Sequence, residues 1–310
     1  MALTSGSNKQ QPQPVIDRIK STKLGPFVLK ISHHFSDGSV YHWTSRAHRK
    51  GSGHGAINQT SPTLSQQLLV FRPTFLSWCM AMLFMIGAAC FAAPCINEVW
   101  PGLISHWLED VDTINIVFFV GSIFFTSAAY LQLLEVVNAD RRAELEAGVT
   151  PTNPFTWFSW QPNQIGWLSA FIQLVGTLFF NLNTFDVMLS DLNWLQQDLL
   201  IWTPDIIGCV CFLVASGLAV IEECHSFWAW KPRSISWWVV MVNMLGSIAF
   251  MVAGVFTLVL PSSQEVLDLY QINLWTLVGA ACFFVGAYLT LPEMTQWKRP
   301  AMLVRQQAHN

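Results

Sequence analysis

Val117-Phe-Phe-Val-Gly-Ser-Ile-Phe-Phe-Thr-Ser-Ala-Ala-Tyr-Leu-Gln-Leu-Leu-Glu135 carries no charge until its last residue. A helix rises about 1.5 Å per residue and the hydrocarbon core of a bilayer is about 30 Å thick, so an apolar run of about 20 residues reads as a membrane-spanning helix. Gly121, Phe125, Ala128 and Glu135 stand four, seven and fourteen residues along from the glycine, steps that stay on one face of a helix. Small residues on such a face let helix backbones approach closely in lipid. The stretch therefore predicts a spanning helix with a packing seam that ends on a carboxylate.

Outward from it, five more runs of this kind follow. With the first, the expected spans are Thr74 to Ala93, Thr113 to Val137, Asn163 to Leu182, Leu200 to Glu222, Ser234 to Leu260 and Gln271 to Leu291. The 310 residues are 52% hydrophobic and 11% charged, against about 25% charged in soluble domains. Six such runs with so few charges leave no polar surface for a soluble fold. The expected class is an all-α integral membrane protein.

The seam recurs. Gly121, Gly208 and Gly279 are followed at equal distances by Phe125, Phe212 and Phe283, then by Glu135, Glu222 and Glu293. In the alternate spans Gly87, Gly176 and Gly246 are preceded by Trp78, Trp167 and Trp237 and followed by Phe91, Phe180 and Phe250. Apolar composition would match phenylalanines freely; it would not match three glutamates and three tryptophans. The expectation is an internal repeat: three parallel hairpins, at 71–138, 163–225 and 234–293. Residues 1–70 form an N-terminal segment, 139–162 a linker and 294–310 a tail. All six glycines are expected at helix contacts, and the three tryptophans at a membrane interface with one edge wet.

Charge orients the bundle. Every Lys and Arg lies ahead of the first span, up to Arg72, or in alternate connections: Arg141 and Arg142, Lys231 and Arg233, then Lys298, Arg299 and Arg305. The other connections carry acids such as Glu98, Glu109, Asp191, Asp198, Glu265 and Asp268. The positive-inside rule then places both termini in the cytoplasm of a multi-pass cell (inner) membrane protein. No signal peptide is expected. Cys95 alone of seven cysteines is expected outside, so no disulfide framework is implied.

Around residues 74–293 the pattern resembles the YrhK-like domain, a bacterial membrane module of two helices. The resemblance rests on Val117 to Glu135, on Trp78 with Met85-Ile-Gly87 upstream, on Gln173-Leu-Val-Gly-Thr-Leu-Phe-Phe-Asn181, and on Gly208 to Glu222. It implies the hairpin architecture and brings no catalytic residue.

Glu135, Glu222 and Glu293 are the leading candidate site. An acid at a helix C-terminus is unfavourable by a few tenths of a kcal/mol, so three of them call for partners. The structural reading pairs them with Arg141, Arg142, Lys231, Arg233, Lys298 or Arg299; the alternative is a cation or proton site. Gln173 and Asn243, at matched places with Phe84, read as interhelical hydrogen-bonding groups or as part of a polar path. Asp205 after Pro204 reads as an ordinary first-turn acid. Phe27 to Phe35 and Ser39 to Ser45 flank Ser36-Asp37-Gly38 and predict a β-hairpin. His33, His34, His42 and His48 cluster there without the spacing of a metal site; the segment is expected on anionic lipid or on the bundle's own face.

No lysine sits in a span for a retinal-type Schiff base, and no phosphate loop, HExxH or paired nucleophile and base appears. No enzyme activity, cofactor, metal or nucleic-acid partner is expected. The partners expected are membrane lipids, with a second copy of the chain or another membrane protein as further candidates. Two function classes remain: a structural, interaction or sensing module, and a small-ion or solute channel or permease. Cysteines introduced beside Glu109, Asp191 and Gln264 should react with an impermeant thiol reagent added outside intact cells, and cysteines beside Arg141 and Lys231 should not; the reverse pattern overturns the orientation.

Overall fold

The computed structural model describes residues 16–36, 38, 40–50, 76–101, 103, 110–146, 150–189, 191–263 and 265–294. Strands β1 (Ile16–Leu24), β2 (Phe27–Phe35) and β3 (Val40–Thr44) form one antiparallel sheet in that order, followed by the short helix α1 (Ser45–Arg49). The expected hairpin is β2 with β3; β1 makes it a three-stranded sheet. β1 escaped the pattern because Asp17, Arg18, Lys20 and Lys23 break its apolar alternation. As an edge strand it is exposed almost throughout and needs no buried face. Gly25 and Gly38 take positive φ in the two turns, a conformation glycine adopts without steric cost.

The rest is helical: α2 (Leu76–Val99), α3 (Val111–Val137), α4 (Ala139–Glu146), α5 (Ile165–Asp186), α6 (Trp194–Gln197), a π-helical turn at Asp198–Trp202, α7 (Thr203–Cys224), α8 (Ile235–Phe256) and α9 (Leu269–Glu293). Six of these segments are long and apolar enough to cross a membrane, the fourth running unbroken from Trp194 to Cys224. Side-chain caps fix three starts: Asp110 on α3, Ser234 on α8 and Asp268 on α9 each accept from a backbone N–H three residues on.

Several boundaries differ from expectation: α5 runs on past Leu182 to Asp186, α8 stops at Phe256 short of Leu260, and two ends differ more. α2 continues past Ala93 through a buried Pro94 to Val99, because one missing N–H costs less than ending an otherwise apolar helix early. Cys95 is therefore not on an external loop but fully buried within α2. The fourth span starts at Trp194 rather than Leu200, its π turn absorbing the extra residue. The expected sites at Glu109, Gln264, Lys298, Arg299 and Arg305 lie outside the described residues, as do Ser5 to Pro14 and Gly51 to Gln67.

The six long segments pack in a closed ring. Neighbours are α2 with α3, α3 with α5, α5 with α7, α7 with α8, α8 with α9, and α9 with α2. Within three of these contacts, glycines meet backbone to backbone. A Cβ on Gly87 would stand 3.0 Å from the carbonyl oxygen of Gly121; on Gly208, 3.1 Å from that of Gly176; on Gly246, 3.2 Å from that of Gly279.

Two triplets of phenylalanine fill the ring's axis. Phe125, Phe212 and Phe283 have ring centroids 5.6–6.5 Å apart. Phe91, Phe180 and Phe250 form the second triplet, and each stacks edge-on or tilted against its counterpart at 5.6, 4.9 and 5.2 Å. Helical side chains lean toward their own N-terminus. The two sets lie on antiparallel helices on opposite sides of the glycine level, so they lean toward each other and interlock.

Gly279→Ala should destabilise the protein by about 1–3 kcal/mol, because its Cβ would collide with the ring of Phe250. Gly217→Ala meets only the flexible end of Met244, at 3.8 Å, and should be neutral or slightly stabilising through helix propensity. Thermal unfolding of both variants in detergent measures the contrast.

Candidate functional site

Glu135, Glu222 and Glu293 close their helices at one end of the ring and are 0%, 1% and 3% exposed. Withdrawn carboxylates of this kind require cations, and α1 supplies them. Thr44 caps α1 by accepting from the N–H of Ala47. The helix then presents Arg46, Arg49 and Lys50 on one face, as spacings of three and four dictate.

Each of these bases meets a different glutamate. Arg46 places Nε and Nη2 at 2.9 Å from Oε1 of Glu293, with Glu223 at 3.6 Å. Arg49 holds Glu222 in a fork, Nε at 3.1 Å and Nη2 at 2.9 Å from Oε2. Lys50 Nζ lies 3.3 Å from Oε2 of Glu135, and Arg142 reaches Oε1 of the same group at 3.2 Å. Four carboxylates thus face four bases, and the cluster is formally neutral.

Hydroxyls complete it. Ser77 donates to Glu135, and Ser236 is hydrogen-bonded to Glu293. The matched residue in the second span is Gly166. A Cβ there would stand 2.8 Å from Arg49 and 2.9 Å from Glu222, so glycine makes room for the guanidinium. Ser45 from α1 supplies the missing hydroxyl, donating to Oε1 of Glu222 at 2.6 Å.

Burial works against both inner cations. For Arg49 it is outweighed by the attraction and hydrogen bonds of Glu222, with Glu135 and Glu293 adding, and its pKa rises. For Lys50 burial prevails over Glu135 and Glu293, and its pKa falls below the ordinary lysine value. His225, left-handed at the end of α7, is pushed down to about 4 by burial and by Lys231 and Lys30, and stays neutral at physiological pH.

The sequence had placed the partners of the glutamates in the connections. Among the described ones only Arg142 is a partner; the other three bases of the cluster belong to the N-terminal segment. The spacing of Arg46, Arg49 and Lys50 was a legible signal. A second missed signal is the pattern aromatic-x-Pro-x-x-(Leu/Ile)-(Ser/Gly)-Trp, at Phe71 to Trp78, Trp160 to Trp167 and Trp230 to Trp237, whose penultimate residue faces each glutamate.

The pattern's tryptophans also correct an expectation. Trp167 and Trp237 are 0% and 2% exposed, not half wet. Trp160 and Trp230 cover them edge-on at 4.8 and 4.9 Å and take the exposed position themselves. Trp237 donates its indole N–H to the carbonyl of Ala229.

Between the ion cluster and the first phenylalanine triplet lies a small chamber of about 70 Å³. Gln173 accepts from Gln132 there at 3.1 Å, and Asn243 fills the space that Gly286 leaves open. Both amides line the chamber, beside Ser169 and Ser216. The histidines disperse rather than converge. His42 pairs with Ser32, His33 lies against Tyr41, and His48 meets Asp140 at 2.8 Å.

Compared with known protein families, with curated proteins and with solved structures, the chain shows no match in any of the three.

Glu222→Gln leaves Arg49 buried without its counter-charge, a change that costs about 3–5 kcal/mol for buried pairs, far above the 0–1 kcal/mol of exposed ones. Hydrogen exchange of β2, β3 and α1 should accelerate in this variant. The double variant Glu222→Met with Arg49→Met should recover most of the loss. Unchanged exchange in Glu222→Gln would show that α1 is held by other contacts.

Proposed function

We propose that this chain is a non-catalytic interaction or sensing module of the cell (inner) membrane, of the YrhK-like kind. In this reading it is built as three parallel hairpins with both termini in the cytoplasm. The observation that carries it is the closed axis: two interlocked phenylalanine triplets lie between the ring's two ends. The ion cluster supports the same reading, since each of the three glutamates is already neutralised by a base from the N-terminal segment or α4. A cation or proton path would leave such carboxylates facing water. In this reading the segment carrying β1 to β3 is the part that reports to cytoplasmic partners, because it is tied to all three hairpins at once.

The chamber with Gln132, Gln173 and Asn243 favours a second reading, a channel or permease. Its volume admits only a few waters. Passage would require all six phenylalanine rings to move. The purified protein in liposomes should therefore give no proton, sodium or potassium flux between pH 5 and 8. A pH-dependent flux abolished by Glu222→Gln, with the fold retained, would replace the module with a transporter.

A further inference from the structure

The other end of the ring holds a larger space. A cavity of about 360 Å³ opens there, floored by the second phenylalanine triplet, Phe91, Phe180 and Phe250. It lies on the ring's axis, because matched residues of the even spans, Ile114, Ile201 and Ile272, all line it. One of its polar groups is out of keeping with the rest. At matched positions stand Phe118, Asp205 and Thr276, so packing does not need a carboxylate at Asp205.

Asp205 has no hydrogen-bond or ion-pair partner among the described residues. It does not serve as a first-turn acid either. The helix is already continuous from Trp194, and the N–H of Thr203 is spent on the carbonyl of Asp198, so no free helix terminus faces the carboxylate. The neighbouring helix accommodates it by omitting a side chain: a Cβ on Gly254 would stand 2.8 Å from Oδ2. A π turn, Asp198–Trp202, directly precedes it, an irregularity frequent at functional sites. An unpaired carboxylate inside an apolar helical bundle is costly and is retained where a ligand or ion meets it.

The lining specifies the ligand. Asn183 and Asn273 each donate an amide N–H to a backbone carbonyl, of Ile201 and Leu269 respectively, and their own carbonyl oxygens have no donor among the described residues. With Asp205 the site offers acceptors, and Glu98 at the rim adds negative charge. No described group of three or more His, Cys, Asp or Glu is placed to hold a metal ion, and aromatic walls do not replace a metal's hydration shell. An acyl chain would fill the space and leave Asp205 unpaired. A protonated amine with an apolar body satisfies both, its N–H groups on Asp205 and its charge near the faces of the phenylalanines.

We propose that this cavity binds a monovalent organic ammonium ion, anchored by Asp205. The inference does not depend on the module reading above. The probe is 2-phenylethylammonium, with neutral 2-phenylethanol and anionic phenylacetate as controls, titrated calorimetrically against the full chain in nanodiscs. The ammonium should bind, and the alcohol and carboxylate should bind at least about tenfold more weakly, the loss expected when a charge-assisted hydrogen bond is removed. Asp205→Asn should lose the same factor while melting no lower than the parent, since it removes an unpaired charge. Gly254→Ala, which crowds the carboxylate, should weaken binding in the same direction. Equal binding of the alcohol and the ammonium, or ammonium binding unchanged in a folded Asp205→Asn, would make the space a generic apolar pocket for lipid or detergent and overturn the proposal. So would the absence of ammonium binding by the folded parent. Liposome flux bears on the module reading alone, so the two stand or fall separately.

Discussion

A carboxylate at the C-terminal end of an apolar helix is disfavoured twice, by the helix dipole and by loss of water. Three such carboxylates close three helices of this ring, at the same end and almost without exposure. They are tolerable only because Arg46, Arg49 and Lys50 arrive together on a single turn of helix. That constraint ties the N-terminal sheet to the bundle, since its third strand runs directly into α1. It also explains the departures from regularity nearby. Gly166 leaves the space that Arg49 fills, and Ser45 donates a hydroxyl to Glu222 as Ser77 does to Glu135. Arg142 joins Lys50 at Glu135, where a single ammonium lacks the two-pronged grip that a guanidinium has on Glu222.

The middle of the ring follows from close approach. Paired glycines bring antiparallel helices into backbone contact. That leaves no width for a channel once a phenylalanine stands one turn to either side. Because helical side chains lean toward their N-termini, the two triplets converge instead of splaying apart. The axis is thereby divided into a small polar chamber under the ion cluster and a wider cavity at the far end.

The two ends are chemically opposite. One holds fixed charges that are internally compensated, with acid and base in equal number. The other holds the unpaired carboxylate of Asp205, with Glu98 at the rim, and amide oxygens without donors among the described residues. Compensation marks a joint that holds the chain together; its absence marks a place left for something else. Trp160 and Trp230, which shield Trp167 and Trp237, belong with the first kind: they are exposed, but their role is to dry the indoles beneath.

The sequence by itself determined the helical spans, the matched glycines and phenylalanines, the strands β2 and β3, and the carboxylates that needed partners. These rest on periodicity, length and local turn chemistry, which a chain expresses before it folds. It did not reveal β1, whose charges hide its alternation at a sheet edge, nor the run of α2 through Pro94, nor the early start of the fourth span. Tertiary structure alone decided which cations meet Glu222 and Glu293, because Arg46 and Arg49 are separated from them by most of the chain and no local rule links them. It decided too what Asp205 meets: the chain is already helical from Trp194, so no free helix terminus faces the carboxylate, and it lines a cavity beside Gly254 of α8 instead.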